Sequence, residues 1–118
     1  MRNRIPTEAQ VLRGILDYLA HDPRVLVWRN NTGAARLPGR GGKEQIVRFG
    51  VRGAADILGV MRGSGRLIAL EVKRPGKSLE PHQRAWGAAI TAAGGHYACV
   101  HSIDEARAEV ARAGGTER

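Results

Sequence analysis

Residues 66–75 read RLIALEVKRP, an apolar run that ends at a proline. Such a run is typical of a β-strand that lies inside a sheet, because a proline cannot donate to the ladder and stops it. Within it Glu71 and Lys73 are two positions apart, so strand alternation places both on one face and Leu70 and Val72 on the other. A carboxylate and an ammonium group in a strand otherwise suited to burial indicate a polar site at its end.

The strand has a predicted partner just before it. ADILGVM (55–61) predicts a strand, and the turn RGSG (62–65) joins the two as a hairpin. QIVRFG (45–50) predicts a further strand, so the three form an antiparallel meander. The hairpin brings Asp56 beside Glu71, which would place two carboxylates and a lysine in one small region.

The elements downstream of the strand predict a parallel pair. Ser78 caps a helix over about 79–93, and HYACVH (96–101) is the next strand. Because a helix separates this strand from RLIALEVK, the two are expected to be parallel neighbours joined by a right-handed crossover. Ser102 and Glu105 form a capping box for a last helix that ends at about 113.

The upstream residues complete an α/β fold. A helix over about 7–20 begins with a capping box at Thr7 and is followed by a strand, VLVWR (25–29). The glycine-rich stretch 30–43 predicts a mobile basic loop, because it shows no periodicity. We therefore expect a mixed central sheet flanked by helices in the order α-β-β-β-α-β-α. The chain 1–118 forms one domain, with a core over about 7–113 and a disordered tail at 114–118.

The charge of the chain indicates a polyanionic partner. The net charge is +8, and residues 24–77 hold twelve Lys and Arg against three acids, hence +9 for that segment. Nucleic acid is the leading candidate, and a basic surface that serves only solubility is the alternative. The lone Cys99, with no signal-like N-terminus, predicts a reducing, cytoplasmic setting. No apolar run approaches the roughly 18 residues of a membrane span, so membrane insertion is not expected.

Two further polar side chains are predicted to point towards the same region. Glu8 begins the apolar face of the first helix, and Gln83 begins that of the second. Taken singly, Glu8 could only complement its helix dipole and Gln83 could be an exposed helical residue. Asp56 could be a turn or strand-end residue, and Glu71 with Lys73 could be a solvated edge pair. Together they form a cluster whose repulsion a bound cation would relieve.

Mg²⁺ suits such a cluster, because it prefers oxygen ligands and commonly takes one or two carboxylates with water and phosphate oxygens. Asp56 and Glu71 are the predicted ligands, joined by the Val72 carbonyl and by Glu8 directly or through water. Lys73 would orient a water molecule or offset the charge that builds on a phosphate, which gives phosphodiester hydrolysis. The histidines lack zinc-ligand spacing, and no P-loop or Ser or Cys nucleophile motif occurs.

The ordered set of motifs resembles one nuclease family. GAADILGV (53–60) followed by LIALEVKRP (67–75) resembles the D-(x)n-(D/E)-x-K signature of the PD-(D/E)XK superfamily, whose core is restriction-endonuclease-like. With Glu8, RNNTG (29–33) and HQRAW (82–86), the chain is similar to a stand-alone virus-type replication-repair nuclease (VRR-NUC) domain from about Thr7 to Ala108. Ala55 departs from the superfamily pattern, which has a proline before the aspartate; that proline shapes backbone and binds nothing.

The resemblance implies roles for the matching residues and a biological context. Asp56, Glu71 and the Val72 backbone become ligands of Mg²⁺ or Mn²⁺, Lys73 the catalytic lysine, and Glu8 and Gln83 supporting active-site residues. It also implies a homodimeric, structure-selective endonuclease of DNA repair or replication, acting on branched DNA such as Holliday junctions or flaps, in a bacterial cell or phage-infected host. The residues expected to hold DNA phosphates, without reading bases, are Arg36, Arg40, Lys43, Arg48, Arg52, Arg74, Lys77 and Arg84.

Two alternatives remain from the sequence. A restriction-type nuclease would share the fold and cut plain duplex at specific sequences. A non-enzymatic basic module would bind nucleic acid with strong salt dependence and would not cleave it.

Overall fold

The computed structural model describes residues 4–115, which form a mixed α/β fold with a mixed sheet flanked by helices. The helices and strands, in chain order, are α1 (Glu8–Leu19), β1 (Val25–Arg29), β2 (Gly33–Pro38), β3 (Glu44–Phe49), β4 (Ile57–Met61), β5 (Leu67–Val72), α2 (Pro81–Ala92), β6 (His96–Val100) and α3 (Ile103–Ala113).

The central sheet has four strands in the order β1-β4-β5-β6. β4 pairs antiparallel with both β1 and β5, and β5 pairs parallel with β6. The predicted hairpin of β4 and β5 is confirmed, and so is the parallel pairing across α2. No helix within residues 4–115 is long and apolar enough to cross a membrane.

The meander and the basic loop were wrong predictions. β3 pairs with β2 in a separate two-stranded sheet and not with β4. The stretch 30–43 therefore contains the strand β2 and a single 3₁₀ turn at Arg40–Gly42 instead of an unstructured loop, and the observed order α-β-β-β-β-β-α-β-α replaces the predicted order α-β-β-β-α-β-α. The turn is possible because Gly41 adopts a left-handed backbone with φ of 68°.

Two helix boundaries also differ from the prediction. α2 begins at Pro81 with Glu80 as its N-cap, so Ser78 lies outside the helix. Proline is favoured at a first helical position because its missing N–H would have had no partner there. Gly114 is the C-cap of α3, so the predicted tail 114–118 starts with the ordered end of a helix. Residues 116–118 of that tail lie outside the described residues.

Helices α1 and α3 cover one face of the sheet and form the main core. Ile15, Leu19, Leu70, Val72 and Val110 are fully buried there. As the alternation predicted, Leu70 and Val72 face this core. Glu71 must then point to the opposite face, which α2 covers.

Helix α2 comes close to that opposite face because of a glycine. A Cβ atom at Gly87 would collide with the ring of Tyr97 on β6, so a larger residue would push the helix away. Trp86 meets the same ring edge-on, with the centroids 5.8 Å apart. This close approach sets the distance between α2 and the polar end of β5.

Candidate active site

Strand register brings the two predicted carboxylates together. Ile57 pairs with Leu70 in the antiparallel ladder of β4 and β5, so the next pair along is Asp56 and Glu71. Directly opposed residues share a face and lie about 5 Å apart. Asp56 Oδ2 also accepts a hydrogen bond of 2.8 Å from the Val72 N–H, where the β4 ladder ends. Asp56 is thus fixed by the backbone of β5 beside Glu71.

Glu71 is the most unusual group of this region. Glu71 is only 3% exposed. One of its carboxylate oxygens, Oε2, accepts a hydrogen bond of 3.2 Å from Gln83 Nε2. Oε1 is buried and has no hydrogen-bond partner. Burial raises the pKa of Glu71 to about 9, helped by the neighbouring Asp56 carboxylate, which can share a proton with it. This raised pKa favours the neutral form of the Glu71 carboxyl group at pH 7, and a bound cation would favour the ionised form.

Other predicted site residues act on the pKa of Glu71 through their charges. The Lys73 ammonium lowers it and the Glu8 carboxylate raises it slightly, so both lie close enough to be felt. Glu8 is exposed in the first turn of α1 and does not take part in a described hydrogen bond from its side chain. The structure brings Asp56, Glu71 and Lys73 together, and it places Glu8 at their margin.

Gln83 connects α2 to this cluster. Its Oε1 accepts a hydrogen bond of 2.9 Å from the Glu80 N–H, which leaves its amide nitrogen directed at Glu71. The turn before β4 approaches the same helix end, since a Cβ at Gly53 would lie 2.5 Å from the His82 carbonyl oxygen. Only glycine fits there, and its φ of 85° also favours glycine.

Sequence reasoning missed the contribution of Asn30. Its Nδ2 donates a hydrogen bond of 3.1 Å to the Ala55 carbonyl. Its N–H donates one of 2.7 Å to the Asp56 carbonyl. Both bonds hold the segment that carries Asp56 against the end of β1. The residue lies within RNNTG, but only the β1–β4 pairing shows what it positions.

Tyr97 and Cys99 were also missed, although strand alternation puts both on one face of β6. Cys99 pairs with Glu71 and Tyr97 with Ala69 in the parallel ladder. Burial raises the pKa of both side chains, and the Glu71 carboxylate adds to the effect. The Tyr97 hydroxyl is buried without a described partner. The side chains of Tyr97 and Cys99 therefore form a poorly solvated surface beside Glu71.

Of the predicted metal ligands, the structure places only some side by side. Within residues 4–115, no group of three or more His, Cys, Asp or Glu side chains is arranged to hold a metal ion. What the structure provides is a carboxylate pair, Asp56 and Glu71, beside the backbone of Val72.

The predicted phosphate-binding residues fall into separate groups. Arg36, Arg40, Lys43 and Arg48 belong to the β2–β3 hairpin and its turn. Arg52 lines a cavity of about 580 Å³ at the base of that hairpin, together with Arg48, Phe49 and His82. The other three lie near the ends of β5 and α2: Arg74 and Lys77 in the turn after β5, and Arg84 on α2.

The chain was compared with known protein families and with curated proteins. No model of a known protein family matches the chain, and a search of curated proteins finds no similar sequence.

Proposed function

We propose that the protein is a metal-dependent, structure-selective DNA endonuclease, a deoxyribonuclease that hydrolyses phosphodiester bonds with a PD-(D/E)XK-type site. The observation that carries this proposal is the pair formed by the buried Glu71 and Asp56, in which Glu71 Oε1 accepts no hydrogen bond from a described donor and faces a second carboxylate. Two buried carboxyl groups this close ionise together only at a high cost unless a positive charge lies between them, so the pair suits a bound divalent cation. The resemblance of the motifs to a stand-alone VRR-NUC domain supports the same assignment.

The donor set suits Mg²⁺ or Mn²⁺. Asp56 and Glu71 supply two carboxylates, which is what Mg²⁺ commonly takes from a protein besides water and phosphate oxygens. The N–H and C=O of one strand residue point to the same edge, so the Val72 carbonyl is directed to the side of Asp56. Glu8, at the margin, fits contact through water. The ion, when bound, would lower the pKa of a water molecule and polarise a phosphoryl oxygen.

The remaining side chains have positioning and electrostatic roles in this proposal. Lys73 carries its ammonium close enough to Glu71 to lower the pKa of that carboxyl group, and there it would orient the attacking water or offset negative charge in the transition state. Gln83 holds one Glu71 oxygen through its amide, and this leaves Oε1 as the free ligand atom.

A homodimer is part of the proposal, since two sites are needed to cut two strands of a branched substrate. Leu26 and Trp28 support it, because they are 53% and 46% exposed on the edge strand β1 and offer apolar surface for a second copy. Light scattering across a concentration series tests this, and a strict monomer that still cleaves junctions would refute it.

Cleavage assays test the activity. Labelled single-stranded, duplex, flap and four-way DNA are incubated with Mg²⁺, Mn²⁺ or a chelator. We expect metal-dependent cutting of the branched substrates, a loss of at least a hundredfold in Asp56→Asn and Glu71→Ala, and retained DNA binding in both. The matched control is Asp104→Asn, which neutralises a carboxylate on α3 that pairs only with Arg107 among the described contacts.

Each alternative gives a different result in the same assay. Discrete products from plain duplex would indicate a restriction-type nuclease. Salt-sensitive binding without metal-stimulated cleavage of any substrate would indicate a non-enzymatic module. Full cleavage by either site variant would show that Asp56 and Glu71 are not the active site.

A further inference from the structure

The β2–β3 hairpin, residues 33–49, is exposed along its whole length. Ten of its twelve strand residues are exposed and two are partly buried. Within residues 4–115, the two strands pack on each other and not extensively on another helix or strand. Six residues per strand give the hairpin a reach of about 20 Å. It is an arm, and an isolated two-stranded hairpin is marginally stable in water without a partner.

The cross-strand register gives the arm two different faces. One face carries Arg36 and Arg48, because Arg36 pairs with Ile46 and Ala34 pairs with Arg48. The opposite face has no basic residue among its strand positions: Gly33, Ala35, Leu37, Gln45, Val47 and Phe49. Arg40 and Lys43 lie at the tip. The basic charge of the hairpin is thus confined to one face and one end.

The basic face is accessible to a ligand. The Arg36 side chain is 76% exposed, and its ion pair with Glu44 is long, at 3.5 Å. An exposed pair of this kind contributes little, so a phosphate can replace Glu44 as the partner of Arg36.

We propose that this arm grips duplex DNA beside the site of cleavage, with its Arg36 and Arg48 face against the phosphates of one groove. A two-stranded β-ribbon fits the major groove, and the arm's charge is opposite to that of DNA. The inference rests on the proposed function and deepens it: the enzyme requires a duplex segment next to the cut, about 20 Å or half a helical turn long. Single-stranded substrates without that segment are poor ligands.

The test measures binding to a fluorescent 30-base-pair duplex in chelator, so no cleavage is needed. Arg36→Gln and Arg48→Gln each remove one positive charge from the basic face. Gln45→Glu is the matched control, because it changes the charge by the same amount on the opposite face. Gln45 pairs with Leu37, and this pair is next to the pair of Arg36 and Ile46. All variants are first checked for an unchanged unfolding temperature.

We expect each arginine variant to bind roughly fivefold to tenfold more weakly at 0.1 M salt and to lower the slope of log affinity against log salt by about 1. Gln45→Glu should change the affinity less than twofold. Glu44→Gln, which removes an acid from the basic face, should strengthen binding.

Two outcomes would overturn the proposal. Equal weakening by Gln45→Glu and Arg36→Gln would show that net charge, not the basic face, is responsible. Unchanged duplex binding in all variants, with Leu37→Ser converting a dimer into a monomer, would make the arm a contact between two copies of the chain. The endonuclease proposal is tested separately by Asp56→Asn and Glu71→Ala, which should lose cleavage but bind the duplex as the wild type does.

Discussion

Glu71→Gln should make the protein more stable at neutral pH and at the same time inactive. In the metal-free fold the pKa of Glu71 is raised from 4.5 to about 9, chiefly by burial. In the unfolded chain the group ionises at its ordinary value, so between these pH values the folded state binds more protons. The free energy of unfolding of the wild type therefore falls as pH rises through this window.

The size of the effect follows from the same linkage. Each pH unit inside the window costs about 1.4 kcal/mol, so the wild type loses at most about 3 kcal/mol between pH 5 and pH 7 through this one group. A glutamine at position 71 does not titrate, and its amide can donate to the Asp56 carboxylate. The stability of Glu71→Gln minus that of the wild type should therefore increase by up to about 3 kcal/mol over that interval.

Urea unfolding in chelator at pH 5, 6 and 7 measures this difference. The control is Glu109→Gln, whose carboxylate accepts hydrogen bonds from His96 at 2.7 Å and from Arg112 at 2.5 Å. Removing that charge should destabilise the protein, because its partners lose an ionic acceptor. With Mg²⁺ at a hundred times its Kd the advantage of Glu71→Gln should shrink by about 2.7 kcal/mol, since a ligand that binds only the folded wild type adds that much to its stability. A stability difference that does not change with pH would show that Glu71 is ionised in the fold, and the argument for a bound cation would fail.

Two further predictions concern the fold. Asp22 is 8% exposed, and its carboxylate accepts bonds from the N–H, Nε and Nη2 of Arg24, which lower its pKa. Asp22→Asn should cost about 1 to 3 kcal/mol in urea unfolding at pH 7, and the wild type should lose that contribution only as pH falls below 3.8. Gly87→Ala should lower the free energy of unfolding by about 1 to 3 kcal/mol, because the added Cβ collides with Tyr97. At an open helical position the same change would instead raise it by ~1 kcal/mol. A higher melting temperature in a thermal melt would contradict the described packing of α2.

The sequence was sufficient for the part of the fold that carries the carboxylates. RLIALEVK is an apolar run that ends at a proline, which indicates a strand inside a sheet. The short turn RGSG then favours antiparallel pairing with the strand just before it. A helix between β5 and β6 required a parallel pair, and the structure has it. These inferences depend on local periodicity and short connections, which a single sequence displays directly.

The hairpin was missed because its strands do not display a period. GAARLP contains a glycine, a proline and small residues, so it shows neither alternation nor a β-branched run. QIVRFG was assigned to the neighbour nearest in the chain, but Gly50 and Gly53, with φ of 75° and 85°, redirect the backbone before β4 begins. Pairing of β3 with β2 is a long-range choice that composition does not reveal. The roles of Asn30 and Tyr97 were hidden for the same reason, since each depends on the register of a distant strand.

The two parts of the proposed enzyme differ in how firmly the fold holds them. Asp56 and Glu71 sit on central strands, tied by the Val72 N–H and by Gln83, so their separation is fixed by the core. The arm has few contacts with that core, and regions of this kind open and move at low free-energy cost. If the protein is the proposed endonuclease, such a hairpin would adapt to differently branched DNA while the carboxylates keep a fixed geometry. Variants of the arm should therefore raise KM with little change in kcat. Variants of Asp56 or Glu71 should lower kcat with little change in KM.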